Sequence, residues 1–131
     1  MKFDHIGIFV SSLETGRIHM EKIFDIKQWS NPVKDPIQGV FVQFGYDSLN
    51  ICYELVAPAA KTNPVDKVLK NSKNILNHVA YKVKDINSEI SRLRDNKCIL
   101  ISGPSPALAF DNNNIAFLYT PLKFIIELIE L

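Results

Sequence analysis

Cysteine is scarce in this 131-residue chain: there are two, Cys52 and Cys98. Each sits inside an apolar run, Ile51-Cys52-Tyr53 and Cys98-Ile99-Leu100. Thiols so placed are expected to be buried and reduced, which speaks against a disulfide framework or a catalytic cysteine. Charge of one sign is also missing. Fifteen Lys and Arg face 14 Asp and Glu, a net charge of +1, and the two signs are interspersed, so there is no electrostatic footprint for nucleic acid or an anionic membrane. No apolar run approaches the roughly 18 residues of a membrane span. The first ten residues, which carry Asp4 and His5, do not resemble a secretory leader. The protein is therefore expected to be cytoplasmic, with no nucleic-acid or membrane partner. Low-complexity tracts and Gly/Ser linkers are lacking as well, which predicts one domain over residues 1–131.

What the chain does contain is itself, twice. Phe3-Asp4-His5-Ile6-Gly7-Ile8-Phe9-Val10 lies over Leu76-Asn77-His78-Val79-Ala80-Tyr81-Lys82-Val83, with His5 on His78 at an offset of 73 (78 − 5). The same offset carries Leu13 onto Ile86 and Phe44-Gly45-Tyr46 onto Phe117-Leu118-Tyr119. It then carries Ile51-Cys52-Tyr53-Glu54-Leu55 onto Phe124-Ile125-Ile126-Glu127-Leu128 without a gap. Self-similarity of this kind marks a duplicated structural unit.

Each half reads as strand, helix and three strands. The strands are expected at about 2–10, 25–30, 39–46 and 48–57, then 75–83, 97–102, 113–120 and 122–130. Ser12 and Asp85 are placed to cap the helices. Leu13, Met20 and Phe24 form the apolar stripe of the first helix, and Ile86, Ile90 and Leu93 that of the second. Module one spans about 1–58, a connector 59–73, and module two about 74–131. Pro64 suits the first turn of a short connector helix over Val65–Asn71. The fold class is α+β: two tandem βαβββ modules in one domain.

Alternate side chains of a strand share a face. Ile6, Ile8 and Val10 should pack under the helix, leaving His5 on the other side. Glu54 likewise opposes Ile51, Tyr53 and Leu55; His78 opposes Val79, Tyr81 and Val83; Glu127 opposes Phe124, Ile126 and Leu128. A glutamate inside so apolar a run is costly to bury alone, and no Lys or Arg occupies a matching position. Two imidazoles and two carboxylates around one divalent ion satisfy all four groups and leave positions open for water and substrate. His5, Glu54, His78 and Glu127 are thus expected to be metal ligands, for Co, Ni, Zn, Mn or Fe(II). Gln43 is a second-choice ligand, because its repeat partner is Ala116. Glu130 has the wrong alternation to replace Glu127. His19, whose counterpart is Arg92, is assigned to the surface.

Tandem modules with a His on the first strand and a Glu on the last resemble the vicinal-oxygen-chelate superfamily, which includes glyoxalase I, methylmalonyl-CoA epimerase, extradiol dioxygenases and bleomycin-resistance proteins. The local match is to the methylmalonyl-CoA epimerases, over Asp4-His5-Ile6-Gly7-Ile8, Pro36-Ile37-Gln38-Gly39-Val40 and Tyr53-Glu54-Leu55-Val56-Ala57-Pro58 continuing to Asn63-Pro64-Val65. Leu76 to Ile86 and Ile115-Ala116-Phe117-Leu118 add to it. The resemblance implies an open-barrel, curved mixed sheet, a homodimer, the same four ligands, and proton transfer next to a carbonyl through an enolate. Strand 39–46 holds no carboxylate, so Glu127 or Glu54 is expected to serve as both ligand and base. The implied substrate is an acyl-CoA thioester. A thiol hemithioacetal, isomerised as by glyoxalase I, is the alternative, and a non-catalytic binding or resistance protein is the alternative of another class. The epimerases usually carry a His-Pro pair and a glycine turn before the last strand. Tyr119-Thr120-Pro121-Leu122-Lys123 has neither the His nor the Gly.

Overall fold

A computed structural model describes residues 1–72 and 75–131; residues 73 and 74, where the connector meets the second module, lie outside them. Among the described residues there are nine strands and three α-helices, in the order β1 (Lys2–Phe9), α1 (Leu13–Phe24), β2 (Gln28–Trp29), β3 (Val33–Asp35), β4 (Val40–Tyr46), β5 (Cys52–Pro58), α2 (Val65–Asn71), β6 (Leu76–Val83), α3 (Ile86–Asp95), β7 (Ile99–Pro106), β8 (Asn114–Tyr119) and β9 (Ile125–Glu130). A short 3₁₀ turn, Leu108–Phe110, precedes β8. The strands form one mixed sheet in the order β2-β4-β5-β1-β6-β9-β8-β7, with β3 also paired to β4. Each half therefore repeats one pattern. The first strand runs parallel to the last, β1 with β5 and β6 with β9. The last pairs antiparallel with the one before it, β5 with β4 and β9 with β8. Among the described residues no helix is long and apolar enough to cross a membrane.

The chain falls into two compact units, His5–Asn77 and Met1–Asp4 with His78–Leu131. In the first, Met20, Ile26 and Leu55 form the core, with Ile8, Val10, Leu13 and Tyr53 packed on it. Gly16, the fourth residue of α1, lets the helix close on the sheet: a Cβ there would stand 3.0 Å from Leu55 Cδ1 and from Val10 Cγ1. In the second, Val83, Ile86, Ile90, Leu93, Ala116, Leu118, Ile126 and Leu128 form the core between α3 and the sheet. Both predicted caps are present: Ser12 Oγ accepts from the Thr15 amide and Asp85 Oδ1 from the Ser88 amide. Of the expected stripes, Ile86, Ile90, Leu93 and Met20 are buried, whereas Phe24 is largely exposed and lies against the Tyr53 ring.

Some boundaries differ from expectation, and turn chemistry explains them. The strand expected at 25–30 is confined to Gln28–Trp29, because Asp25 ends α1 in the left-handed region (φ 53°). An unexpected strand, β3, forms because the Asp35 carboxylate accepts from the amides of Ile37 and Gln38 and closes a hairpin onto β4. β5 starts at Cys52 rather than 48, since Asp47 holds a turn through the amides of Leu49 and Ile51. β9 starts at Ile125 because 121–123 turn back on Thr120, with Lys123 at φ 73°. β7 runs on to Pro106 through two register shifts that accommodate Gly103 at φ 87°. Cys52 and Cys98 are free thiols, Cys52 buried and Cys98 only half-buried.

Candidate metal centre

In the unit His5–Asn77, the parallel ladder sets Gly7 beside Glu54. His5 lies two residues before Gly7, on the same face of β1. Its Nε2 is 3.6 Å from Glu54 Oε1, and both side chains are almost wholly buried. The antiparallel ladder places Phe44 directly across from Glu54, and the Phe44 ring meets the His5 imidazole edge to face, with centroids 5.7 Å apart and planes at 73°. Gly7, beside Glu54 in the ladder, is buried and has no side chain to place against it.

The other unit builds the same arrangement from its own strands. Ala80 lies beside Glu127 in the β6–β9 ladder and Phe117 lies across from Glu127 in the β8–β9 ladder. His78 Nε2 is 3.0 Å from Glu127 Oε2, again with both side chains almost wholly buried. Phe117 meets the His78 ring edge to face, with centroids 5.5 Å apart and planes at 78°. Ala80, fully buried, takes the place of Gly7. Lys82, further along β6, makes an ion pair with Asp4 at 3.1 Å.

The donor set and spacing fit a divalent cation. Two ligand atoms each about 2.1 Å from one ion lie about 3.0 to 3.4 Å apart at angles of about 90° to about 109°. The His78–Glu127 separation falls at the short end of that span, and the His5–Glu54 separation slightly beyond its long end. Together the buried His5, Glu54, His78 and Glu127 make up the group of metal-ligating side chains among the described residues that could hold a metal ion.

The other residues singled out in the sequence have different places. Gln43 pairs across from Leu55, on the face that packs under α1. Its amide is held by Arg17, whose Nη1 donates to Oε1 (2.8 Å), and by the Ser30 carbonyl, which accepts from Nε2 (2.7 Å). Gln43 thus faces away from Glu54 and is not a substitute ligand. Glu130 is structural: its carboxylate accepts from the Ile86 amide at the start of α3 (3.2 Å) and from Asn114 Nδ2 (3.0 Å). His19 is exposed on α1. Phe44 and Phe117, and the small pair Gly7 and Ala80, belong to the centre although the sequence had given them no role. The 73-residue offset that links them was the available signal.

A family model, the Glyoxalase/Bleomycin resistance protein/Dioxygenase superfamily, matches residues 4–117. The chain belongs to this superfamily. A glyoxalase-like fold is equally plain among solved structures. A hypothetical protein from Bacillus halodurans superposes with a TM-score of 0.81 at 25% identity, over 99% of this chain and 94% of that one. Methylmalonyl-CoA epimerase from Mycobacterium tuberculosis gives a TM-score of 0.77 at 21% identity, over 98% and 87%. A variant of the Streptomyces coelicolor epimerase in complex with 2-nitronate-propionyl-CoA gives 0.78 at 19%, over 99% and 94%. At these identities the likeness to the epimerases is one of fold. No curated protein matches the sequence. The buried His and Glu pairs are of a kind that could hold a metal ion.

Proposed function

We propose that His5, Glu54, His78 and Glu127 hold one divalent ion, and that the protein is an enzyme moving a proton at the carbon next to a substrate carbonyl. The closest reaction is the epimerisation of an acyl-CoA thioester. One observation carries this reading: a buried His–Glu pair, built on the same strand positions and flanked by the same phenylalanine, occurs once in each module. Burying two carboxylates among so much hydrocarbon is costly without a cation to offset their charge. The complex of an epimerase of this fold with 2-nitronate-propionyl-CoA supports the substrate class. Two imidazoles and two carboxylates suit Co, Ni, Zn, Mn or Fe(II).

A bound ion would withdraw electrons from the carbonyl and make the adjacent C–H more acidic. The rest of the chemistry falls to the chain. Glu54's face of β4 presents Val40, Val42, Phe44 and Tyr46, by the ladder with β5, and none of them is a carboxylate. The base is therefore Glu54 or Glu127, each acting as ligand as well. Epimerisation needs one group to take the proton and one to return it, and the two glutamates supply that number. The hydrocarbon around them excludes water and strengthens their interaction with developing charge. We also propose that the chain is one domain, since the ion would join the two modules, and that it acts in the cytoplasm as a homodimer.

The test is deuterium exchange in D₂O, with Co, Ni or Zn added, on acyl-CoA esters and on thiol hemithioacetals. The proposal requires exchange at the α-carbon of the CoA ester. Exchange of the hemithioacetal alone would move the assignment to glyoxalase I-like isomerisation. No exchange with either, despite bound metal, would make this a non-catalytic binding or resistance protein.

A further inference from the structure

We infer that Ile125, Tyr119 and Ile99 form a strip that takes up an apolar chain carried by the substrate, and so select acyl groups of several carbons. The inference rests on the acyl-CoA reading above and concerns the unit that holds His78 and Glu127. Residues directly paired across a ladder point to the same face of the sheet. Three rows therefore cross the Glu127 face. Ala80, Glu127, Phe117 and Ser102 form the middle row. Lys82, Ile129, Ile115 and Ser105 lie on one side of it, and His78, Ile125, Tyr119 and Ile99 on the other.

The two outer rows are covered differently. On the Lys82 side, Ala107 is buried against Ala80, Ile115 and Ile129, and Phe110 packs on the same cluster. On the His78 side the row opens outward: His78 is buried, Ile125 and Tyr119 are half-buried, and Ile99 is 65% exposed. Ile101, at the register shift beside Ser102, is 52% exposed. The first unit ends otherwise at the matching place. Tyr46, the repeat partner of Tyr119, is paired on its outer side with Gln28, whereas Tyr119 is paired with Ile99. The apolar ending thus belongs to one module.

Continuity with the Glu127 row decides the occupant. The strip offers no charge to a phosphate or a carboxylate, and it begins beside the residue read as ligand and base. A chain attached to the reacting carbon would be led onto it. Strands about 4.8 Å apart, with residues about 3.4 Å apart along each, set the Cα of Tyr119 about 8 Å and that of Ile99 about 12 Å from Glu127. A methyl branch does not span that distance, and a chain of several carbons does.

The experiment is calorimetric titration, with Co(II) present, using acetyl-, butyryl-, hexanoyl- and octanoyl-CoA. The corresponding N-acetylcysteamine thioesters, which lack the nucleotide, are titrated in parallel. Parent affinity is expected to rise about twofold per added methylene, because full burial would give about fourfold and the strip is open on one side. Ile99→Asn is expected to lower octanoyl affinity about tenfold more than butyryl affinity. Ile23→Asn, at an exposed position on α1, keeps the parent's chain-length dependence. As a readout that needs no variant, the δ-methyl carbon of Ile99 should shift with octanoyl and not with acetyl thioesters. Affinity independent of chain length in the parent, absence of binding included, would overturn the inference, as would a rise that survives intact in Ile99→Asn. Altered sedimentation of Ile99→Asn with unaltered chain-length dependence would give the strip to a second copy of the chain and overturn it too. Chain-length-dependent binding without α-proton exchange would instead overturn the reaction assigned above and leave the role of the strip standing.

Discussion

His78 Nε2 stands 3.0 Å from Glu127 Oε2, with both side chains almost wholly buried. If this pair and its repeat ligate one ion, the carboxylate's charge matters more than its shape. Glu127→Gln keeps the shape and removes the charge. It is expected to leave the fold intact, to weaken Co(II) binding by about 100-fold or more, since even outer partners of ligands cost 10- to 100-fold, and to abolish α-proton exchange. Calorimetric titration and exchange assays check this. Full exchange by a variant that still binds metal would remove Glu127 from the role of base.

Ala80 is fully buried beside Glu127. Ala80→Leu adds volume where none is free. It is expected to lower stability by about 1–3 kcal/mol and to eliminate metal binding. Denaturant unfolding with and without Co(II) measures both effects, and cobalt should no longer stabilise the variant.

Asp85 caps α3, and its carboxyl is held below the usual carboxylate range, chiefly by the hydrogen bond it accepts from the Ser88 amide and then by that from the Ser88 hydroxyl. A folded pKa below the unfolded one means that the stabilisation is complete above the unfolded value, about 4, and is lost as pH falls through the folded value. Asp85→Asn retains the acceptor without the charge. Its stability is expected to trail the parent's at neutral pH and to converge with it in acid, a trend that thermal melts across that range reveal.

Leu118 is fully buried in the core beneath α3. Leu118→Ala should cost about 2–5 kcal/mol while leaving cobalt affinity of the folded protein within about twofold, because its side chain points away from Glu127. Urea unfolding and cobalt titration separate the two consequences.

Much of this was legible in the sequence because the duplication supplied a second copy of every argument. The alternation of Ile6, Ile8 and Val10 placed His5 on the uncovered face, and Ser12 and Asp85 announced the two helices. What escaped depended on turn chemistry or on contacts between strands. No strand was expected between 30 and 39, yet Val33–Asp35 pairs with β4 because Asp35 closes the hairpin with its own side chain. Gln43 looked like an available ligand, but the ladder puts it opposite Leu55, where Arg17 and Ser30 consume its amide. The place of Phe44 and Phe117 across from the two glutamates required the register of β4 and β8 against their partners. Residue spacing along one strand does not contain that register.

The central claim is one divalent ion held by residues from both modules, and Co(II) titration of metal-free protein tests it most directly. The account predicts one cobalt per chain, a higher melting temperature as cobalt saturates the site, and loss of that site in both His5→Ala and His78→Ala. Cobalt bound equally well by either variant, or not bound by the parent protein, would contradict it.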